Sequence, residues 1–357
     1  MKHRLILTTA LVGLALPAAA QEIELLSWGG AYGNSHLEAY AKPFEAESGI
    51  KVNIQDSDNP ATPIKAMVEA GNISVDVASV EYADAVRLCD EGLLEMIDPA
   101  ILAPTEDGMD ASEDFIDGAV TDCFVGTDVY SMVLAYDDGQ FADAKPAAPA
   151  DFFDLEAFPG KRTMRKGAKF NLELALMADG VPAAEVYDML GTAEGVDRAF
   201  AKLDSIKNDV IWWEAGAQPP QLLADGEVSM AFAFNGRIFN AAQEEGKPFN
   251  IIWDGQIYEM EGWVIPKGAP NLEDALQFVT YSTSPAPQAR AAEFISYGPP
   301  RKSAAALVGN IEGTETPMGP NLPTFEENMT NALGSNLDFW VDHDAELNER
   351  FNSWLAG

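Results

Sequence analysis

Strand and helix signatures alternate from Glu22 onward, and no other feature restricts the fold of this chain as much. Glu22-Ile-Glu-Leu-Leu-Ser-Trp28 reads as a strand closed by Gly29 and Gly30. Between His36 and Ser48, residues Leu37, Tyr40, Ala41 and Phe44 recur at helical spacing, Gly49 stops them, and 50–54 returns to the two-residue period of a strand. A short helix over 63–70, a strand over 75–80 and a helix over 83–89 continue the series. Strands separated by helices build a parallel sheet whose faces the helices cover, so the fold class is α/β. An acidic, turn-rich stretch over 104–122 reads as a surface excursion, and 129–136 as an apolar strand. The Pro- and Ala-rich segment 145–151 then marks the crossing into a second α/β series. That series has strands over 210–214 and 228–234, and two more over 251–254 and 262–265 split by a polar, aromatic link. Helices over 272–282 and 285–295 follow, and the tail 324–355 has a helical, amphipathic pattern.

The first twenty residues belong to export. Lys2, His3 and Arg4 precede the apolar run Leu5–Leu16, Pro17 breaks it, and Ala18-Ala19-Ala20 supplies the small residues of a cleavage site. The segment is too short to span a bilayer, and no later stretch reaches the length of a spanning helix. The chain is therefore expected to be exported, cut near Gln21 and free of a membrane anchor. Charge narrows the partners: 57 acidic against 22 basic residues give −35, or −37 once Lys2 and Arg4 are gone. Such a chain lacks the basic footprint of a nucleic-acid binder and is repelled by anionic membranes. With 47% hydrophobic residues it still has the material for packed cores. Cys89 and Cys123 are the two cysteines, an even count that in an exported chain favours one disulfide over two separate thiols. Closing that loop contributes about 3–4 kcal/mol in the loop-entropy account.

Enzyme motifs are missing in turn: no GxSxG, no HExxH, no GxGxxG after a strand and no phosphate loop. No metal or cofactor motif is present either, and only His36 and His343 remain as histidine bases after export. Polar and aromatic residues gather instead where strands end, the place where open α/β sheets bind ligands. Trp28 and Tyr32 follow the first strand, and Glu81 and Tyr82 the third. Trp213 and Glu214 close another, Phe234, Asn235 and Arg237 end the next, and Asp254, Tyr258, Glu261 and Trp263 surround the last pair. Against the acidic background, Lys161, Arg162, Arg165, Lys166 and Lys169 form a local basic cluster without an acid among them. It reads either as a solvated patch or as a site where Arg165 meets a ligand carboxylate with its two-pronged guanidinium.

The residues resemble the periplasmic spermidine/putrescine-binding proteins of ABC importers over essentially the whole exported chain. Trp28-Gly-Gly-Ala-Tyr32, Cys89-Asp-Glu-Gly-Leu-Leu94, Phe158-Pro-Gly-Lys-Arg162, Trp212-Trp-Glu-Ala-Gly-Ala-Gln-Pro-Pro220, Phe234-Asn-Gly-Arg237 and Trp263-Val-Ile-Pro266 carry the likeness. It implies a type 2 periplasmic binding protein: two α/β lobes, each with a mixed, mainly parallel sheet, and a ligand trapped between them by hinge closure. The implied lobes are 21–135 plus 264–296 and 136–263 plus 297–357, with crossovers near 134–138, 260–264 and 297. It implies a periplasmic monomer that needs no cofactor and passes a small amine to an ABC permease and its ATPase. Family members hold ammonium groups with carboxylates and aromatic faces, as the physics of cations requires. Here Trp28 takes the place of a lining aromatic, Glu261 that of an aspartate, and Phe234 and Glu259 those of tryptophans. Two acids common in polyamine binders fall at Gly167 and Phe170, amid Arg165, Lys166 and Lys169. A polyamine has no anion for these cations, whereas a related subgroup that binds γ-aminobutyrate takes a ligand with its own carboxylate. Both ligand classes stay open, as do a secreted α/β enzyme using His36 and a chemoreceptor-type binding subunit.

Overall fold

The structure, a computed structural model, describes residues 21–141, 144–244 and 246–357; the export segment lies outside the described residues. The first series folds as strands β1 (Glu22–Ser27), β2 (Lys51–Asp56) and β3 (Val77–Glu81), with helices between them. The helical stretch after β1 begins at Gly30, earlier than its apolar spacing indicates, and passes through a π-helical segment at Leu37–Ala41. It ends where Gly49 turns left-handed, a conformation that costs glycine little. Two long strands follow in the chain, β4 (Val125–Asp137) and later β8 (Phe249–Val264). Between them lie β5 (Arg162–Arg165), β6 (Val210–Trp213) and β7 (Met230–Phe234), and a short β9 (Leu333–Gly334) comes after.

Among the described residues these strands form one sheet in the order β2-β1-β3-β8-β4-β7-β5-β6, with β9 beside β8. The outer pairs β1–β2, β1–β3, β5–β6 and β5–β7 are parallel, as helix-linked strands require. The middle is antiparallel, because β4 and β8 pair with each other from Val125↔Trp263 to Asp137↔Phe249 and belong to both lobes. Each lobe thus has a mainly parallel sheet, and the shared pair joins the two into a two-lobed, periplasmic-binding-protein fold. Val129 and Gly298 exchange backbone hydrogen bonds in both directions, which ties the segment around 298 to β4.

Two expectations need correction. The link between 254 and 262 is not a break: β8 runs on through a register shift at 253–256, and from Ile257 it pairs with β4 on one side and, at Ile257 and Tyr258, with β9 on the other. The tail is helical only over Leu337–Ala356, with a 3₁₀ turn at Glu326–Met329 ahead of it. The apolar material sorts by lobe. Leu25, Val77, Trp263 and Phe278 centre the first core, and Phe152, Met164, Leu174, Phe200 and Phe351 the second. Cys89 and Cys123 form a disulfide that ties the helix after β3 to the segment entering β4.

Candidate functional site

Five strands end at one place. Trp28 follows β1, and Glu81, Arg165, Trp213 and Phe234 are the last residues of β3, β5, β6 and β7; all five line an interlobe cavity. Tyr32, Glu214, Arg237 and Glu261 complete the expected set there, and Asp58, Tyr130, Gly216 and Tyr297 join them. The aromatic wall is edge-packed. Phe234 meets Trp213 and Tyr130 at 5.4 Å each, and Tyr297 meets Tyr130 at 6.1 Å and Tyr32 at 5.6 Å.

Carboxyls stand in a row across the three strands beneath this wall. Glu81 of β3 lies opposite Glu261 of β8, and Glu261 lies opposite Asp128 of β4. Like charges so placed repel, and each group answers differently. Burial alone would raise the Glu81 carboxyl, but Arg165 and Lys169 outweigh it and hold it at about 2. Arg165 Nη1 donates to Glu81 Oε1 at 2.7 Å, and Lys169 Nζ to Glu81 Oε2 at 3.0 Å. Lys169 also pairs with Glu259 at 2.6 Å. Glu261 has no ion pair among the described residues: Trp28 Nε1 and Ser79 Oγ donate to its Oε1 at 2.5 and 3.0 Å. Burial, reinforced by Asp128 and Glu81, pushes it well above the usual carboxylate range. Burial likewise lifts Asp128 to about 7, against hydrogen bonds from Tyr32 and Thr127.

Cations face this row from the second lobe. The Arg165 guanidinium sits 6.0 Å from the Trp28 ring and 5.6 Å from that of Phe234, and its one hydrogen bond to another described residue goes to Glu81. The remaining donors of its fork leave room for a second carboxylate. Arg237 reaches across the lobes, donating to the carbonyls of Gly29 and Trp28 at 3.2 and 3.1 Å, while its buried Nε has no partner. That approach requires glycine at position 30: φ is +57°, and a Cβ would stand 2.8 Å from Arg237 Nη1.

Five expected residues lie away from this cavity. Trp263 is fully buried in the first core, where its Nε1 donates to Ser282. Asp254 accepts from Asn331 toward the start of β8, remote from the strand ends. Asn235 is a buried brace between Ser131 and Ser296. Tyr82 and Tyr258 line a separate groove, which Glu259 also borders, while Glu261 lines the cavity. The basic cluster divides too. Arg162 is core, its guanidinium bonded to the carbonyls of Phe152, Gly160 and Phe158, while Lys166 pairs with Glu214 at the exposed rim. Of the cluster, Arg165 and Lys169 reach the buried acids Glu81 and Glu259. Among residues overlooked in the sequence, Asp128 carried a signal: it is the one charge inside an otherwise neutral run from Val125 to Tyr136. His36 is buried at the Trp263 ring, where desolvation lowers it to about 3, so it rests neutral outside the cavity.

The comparisons agree with this architecture. The family model for bacterial extracellular solute-binding proteins matches residues 39–324. The gamma-aminobutyric acid-binding protein of Pseudomonas aeruginosa is 44% identical over 351 residues, 97% of this chain and 96% of its own. The solved Atu4243-GABA receptor superposes with a TM-score of 0.78 at 32% identity, covering 94% of this chain and 98% of that one. The PBP MotA from A. tumefaciens B6, solved with glucopine, gives a TM-score of 0.85 at 29% identity over 94% of this chain and 100% of its own. A cleft built from strand ends, two lobes on shared strands and matches of this extent lead to one assignment: the chain belongs to the bacterial extracellular solute-binding proteins, the ligand-capturing components of ABC transporters.

Proposed function

We propose that the protein captures a short ω-amino acid such as γ-aminobutyrate in the periplasm, after removal of its N-terminal signal, and delivers it to an ABC permease and its ATPase. The observation that carries this reading is the pairing of opposite charges around Trp28. Its indole Nε1 holds Glu261, and its ring lies beside Arg165. A ligand ammonium entering near Glu261 meets a carboxyl with no cation of its own, and a ligand carboxylate meets the spare donors of Arg165. A diamine satisfies the first requirement and violates the second, because its other ammonium would face Arg165 and Lys169. Trp28, Phe234 and Tyr130 would pack the methylenes. The molecule is read as a binder without turnover, acting by closure of the lobes about β4 and β8. The γ-aminobutyrate-binding relative supports the same ligand class.

Calorimetric titration of the exported form tests it. Saturable one-to-one binding of γ-aminobutyrate, with putrescine and spermidine at least about tenfold weaker, is the expected result. Equal or tighter binding of either polyamine would overturn the assignment, and product formation would replace it with an enzyme.

A further inference from the structure

Next to the inner cavity lies an outer one, and the two have only Glu81 and Arg165 in common among their lining residues. The inner cavity sets aromatic rings among its charges; the outer one has a single ring, Trp340, and is walled by charge, with Arg87, Lys166 and Lys169 set against Asp84 and Asp344. The Arg165–Glu81 pair is therefore the partition between two chemically different chambers of one cleft. Both members are braced. Lys169 holds the second oxygen of Glu81, and Glu259 holds Lys169. Asn171 Nδ2 donates to the carbonyls of Arg165 and Gly167 at 2.5 and 2.7 Å, fixing the loop on which Arg165 stands. Within that loop Phe170 is fully buried at φ +70°, a left-handed conformation that an aromatic residue rarely adopts. Strain of this kind persists where the surroundings hold a side chain in a required place, and here the neighbour so placed is Lys169.

We propose that Glu81, by the reach of its side chain between the two chambers, is a specificity residue that sets the maximum ligand length. This rests on the reading of the inner cavity as an ω-amino acid site. With the ammonium at Glu261, a short ligand ends at Arg165. A longer one must carry its carboxylate through the position of the Glu81 side chain, into the outer chamber, where Arg87, Lys166 and Lys169 await it. Length is limited by the reach of the Glu81 side chain rather than by its charge. Glu81→Asp keeps the charge but withdraws it by one methylene and opens the partition, whereas Glu81→Gln keeps the length and leaves it shut.

The experiment measures dissociation constants of wild type, Glu81→Asp and Glu81→Gln for the ω-amino acids from β-alanine to ε-aminocaproate, and for diamines of matching length. Each variant's fold is checked by circular dichroism. The expected result is that the affinity ratio of ε-aminocaproate to γ-aminobutyrate rises by about tenfold or more in Glu81→Asp and by less than about threefold in Glu81→Gln. An added Ala83→Phe, which fills the outer chamber, should abolish that gain. An unchanged ratio in Glu81→Asp, the reverse order of the two variants, or a gain that survives Ala83→Phe overturns the partition. If wild type prefers the diamines, the ω-amino acid reading falls while the same length shift in the diamine series still judges the partition. Binding of neither series overturns both.

Discussion

Two buried ion pairs show how differently this molecule treats charge in its core and in its cleft. Away from the cleft, fully buried Arg301 donates to Asp114 at 2.6 Å and to the carbonyls of Thr283 and Ala103 at 3.1 and 2.9 Å. Asp114 accepts in addition from Ser303 N and Oγ. Charge and hydrogen-bonding capacity balance there, which is the condition under which a buried pair is tolerable. In the cleft, Arg165 uses one donor on Glu81, while Glu261 and Asp128 lie buried beside each other with no cation at hand. An interior balanced in one place and left unbalanced in another marks the second as a place built for something charged that comes from outside.

Breaking each pair should therefore have opposite consequences. Asp114→Ala leaves Arg301 charged, buried and unpaired, and is expected to cost about 3–5 kcal/mol of folding stability in urea denaturation, with ligand affinity unchanged in the molecules that fold. A loss below about 1 kcal/mol would break the comparison at its core end. Arg165→Met should do the reverse: γ-aminobutyrate affinity falls by about 100-fold or more, the scale of truncating one partner of a buried charge pair. Its unliganded stability should fall less than that of Asp114→Ala, because Glu81 keeps Lys169. Affinity within about threefold of wild type in titration calorimetry would remove Arg165 from the site.

Much of this contrast is legible in the sequence, and the illegible part has a physical cause. Strand–helix alternation indicates the α/β class, and strand ends such as Trp28, Glu81, Trp213 and Phe234 indicate the cleft, since those positions follow from local pattern. The assignment of Trp263, Tyr258 and Asp254 to the site fails because β8 is read as two strands. Gly255 does turn left-handed, at φ +72° in a register shift of the ladder, but from Ile257 onward pairing with β4 and β9 keeps the chain extended. Once the strand is continuous, Tyr258 and Glu259 border the groove beside it, and of the three only Glu261 reaches the cavity. Arg162 and Arg165 make the same point from the other side. They are three residues apart in one short strand, yet Arg162 is buried among carbonyls and Arg165 stands at the strand's end. Tertiary neighbours, invisible in a basic run, decide which cation is structural.

A third buried carboxyl tests whether an unbalanced acid outside the cleft behaves as a plain cost. Glu173 lies under the C-terminal helix, where Oε1 accepts from Trp340 Nε1 at 2.7 Å and from Tyr187 at 3.0 Å while Oε2 has no partner. Burial outweighs those bonds and lifts it from 4.5 to about 7. Between these values the folded chain keeps a proton that the unfolded chain has lost. Stability therefore falls as pH rises through that window and is flat above it. Glu173→Gln should remove about 2 kcal/mol of that decline, read as the difference in urea stability between pH 5 and pH 8. A slope equal to that of wild type would show that the carboxyl is ionised throughout.

The same linkage acts on Glu261, with ligand in place of unfolding. Burial, Asp128 and Glu81 keep its proton on in the unliganded cleft. An arriving ammonium favours the ionised form, so binding near neutral pH should expel a proton. Titrations in buffers of different ionisation enthalpy should then give apparent binding enthalpies that vary with the buffer, and affinity should rise by up to about tenfold per pH unit while Glu261 starts protonated. Glu261→Gln has no proton to lose there, so its release should disappear together with the pH dependence it causes. Release that persists in Glu261→Gln would transfer the role to Asp128, the next acid in the row, which burial lifts to about 7. Buffer-independent enthalpies in wild type would mean that the cleft acids are already ionised, and that the core and the cleft treat buried charge alike after all.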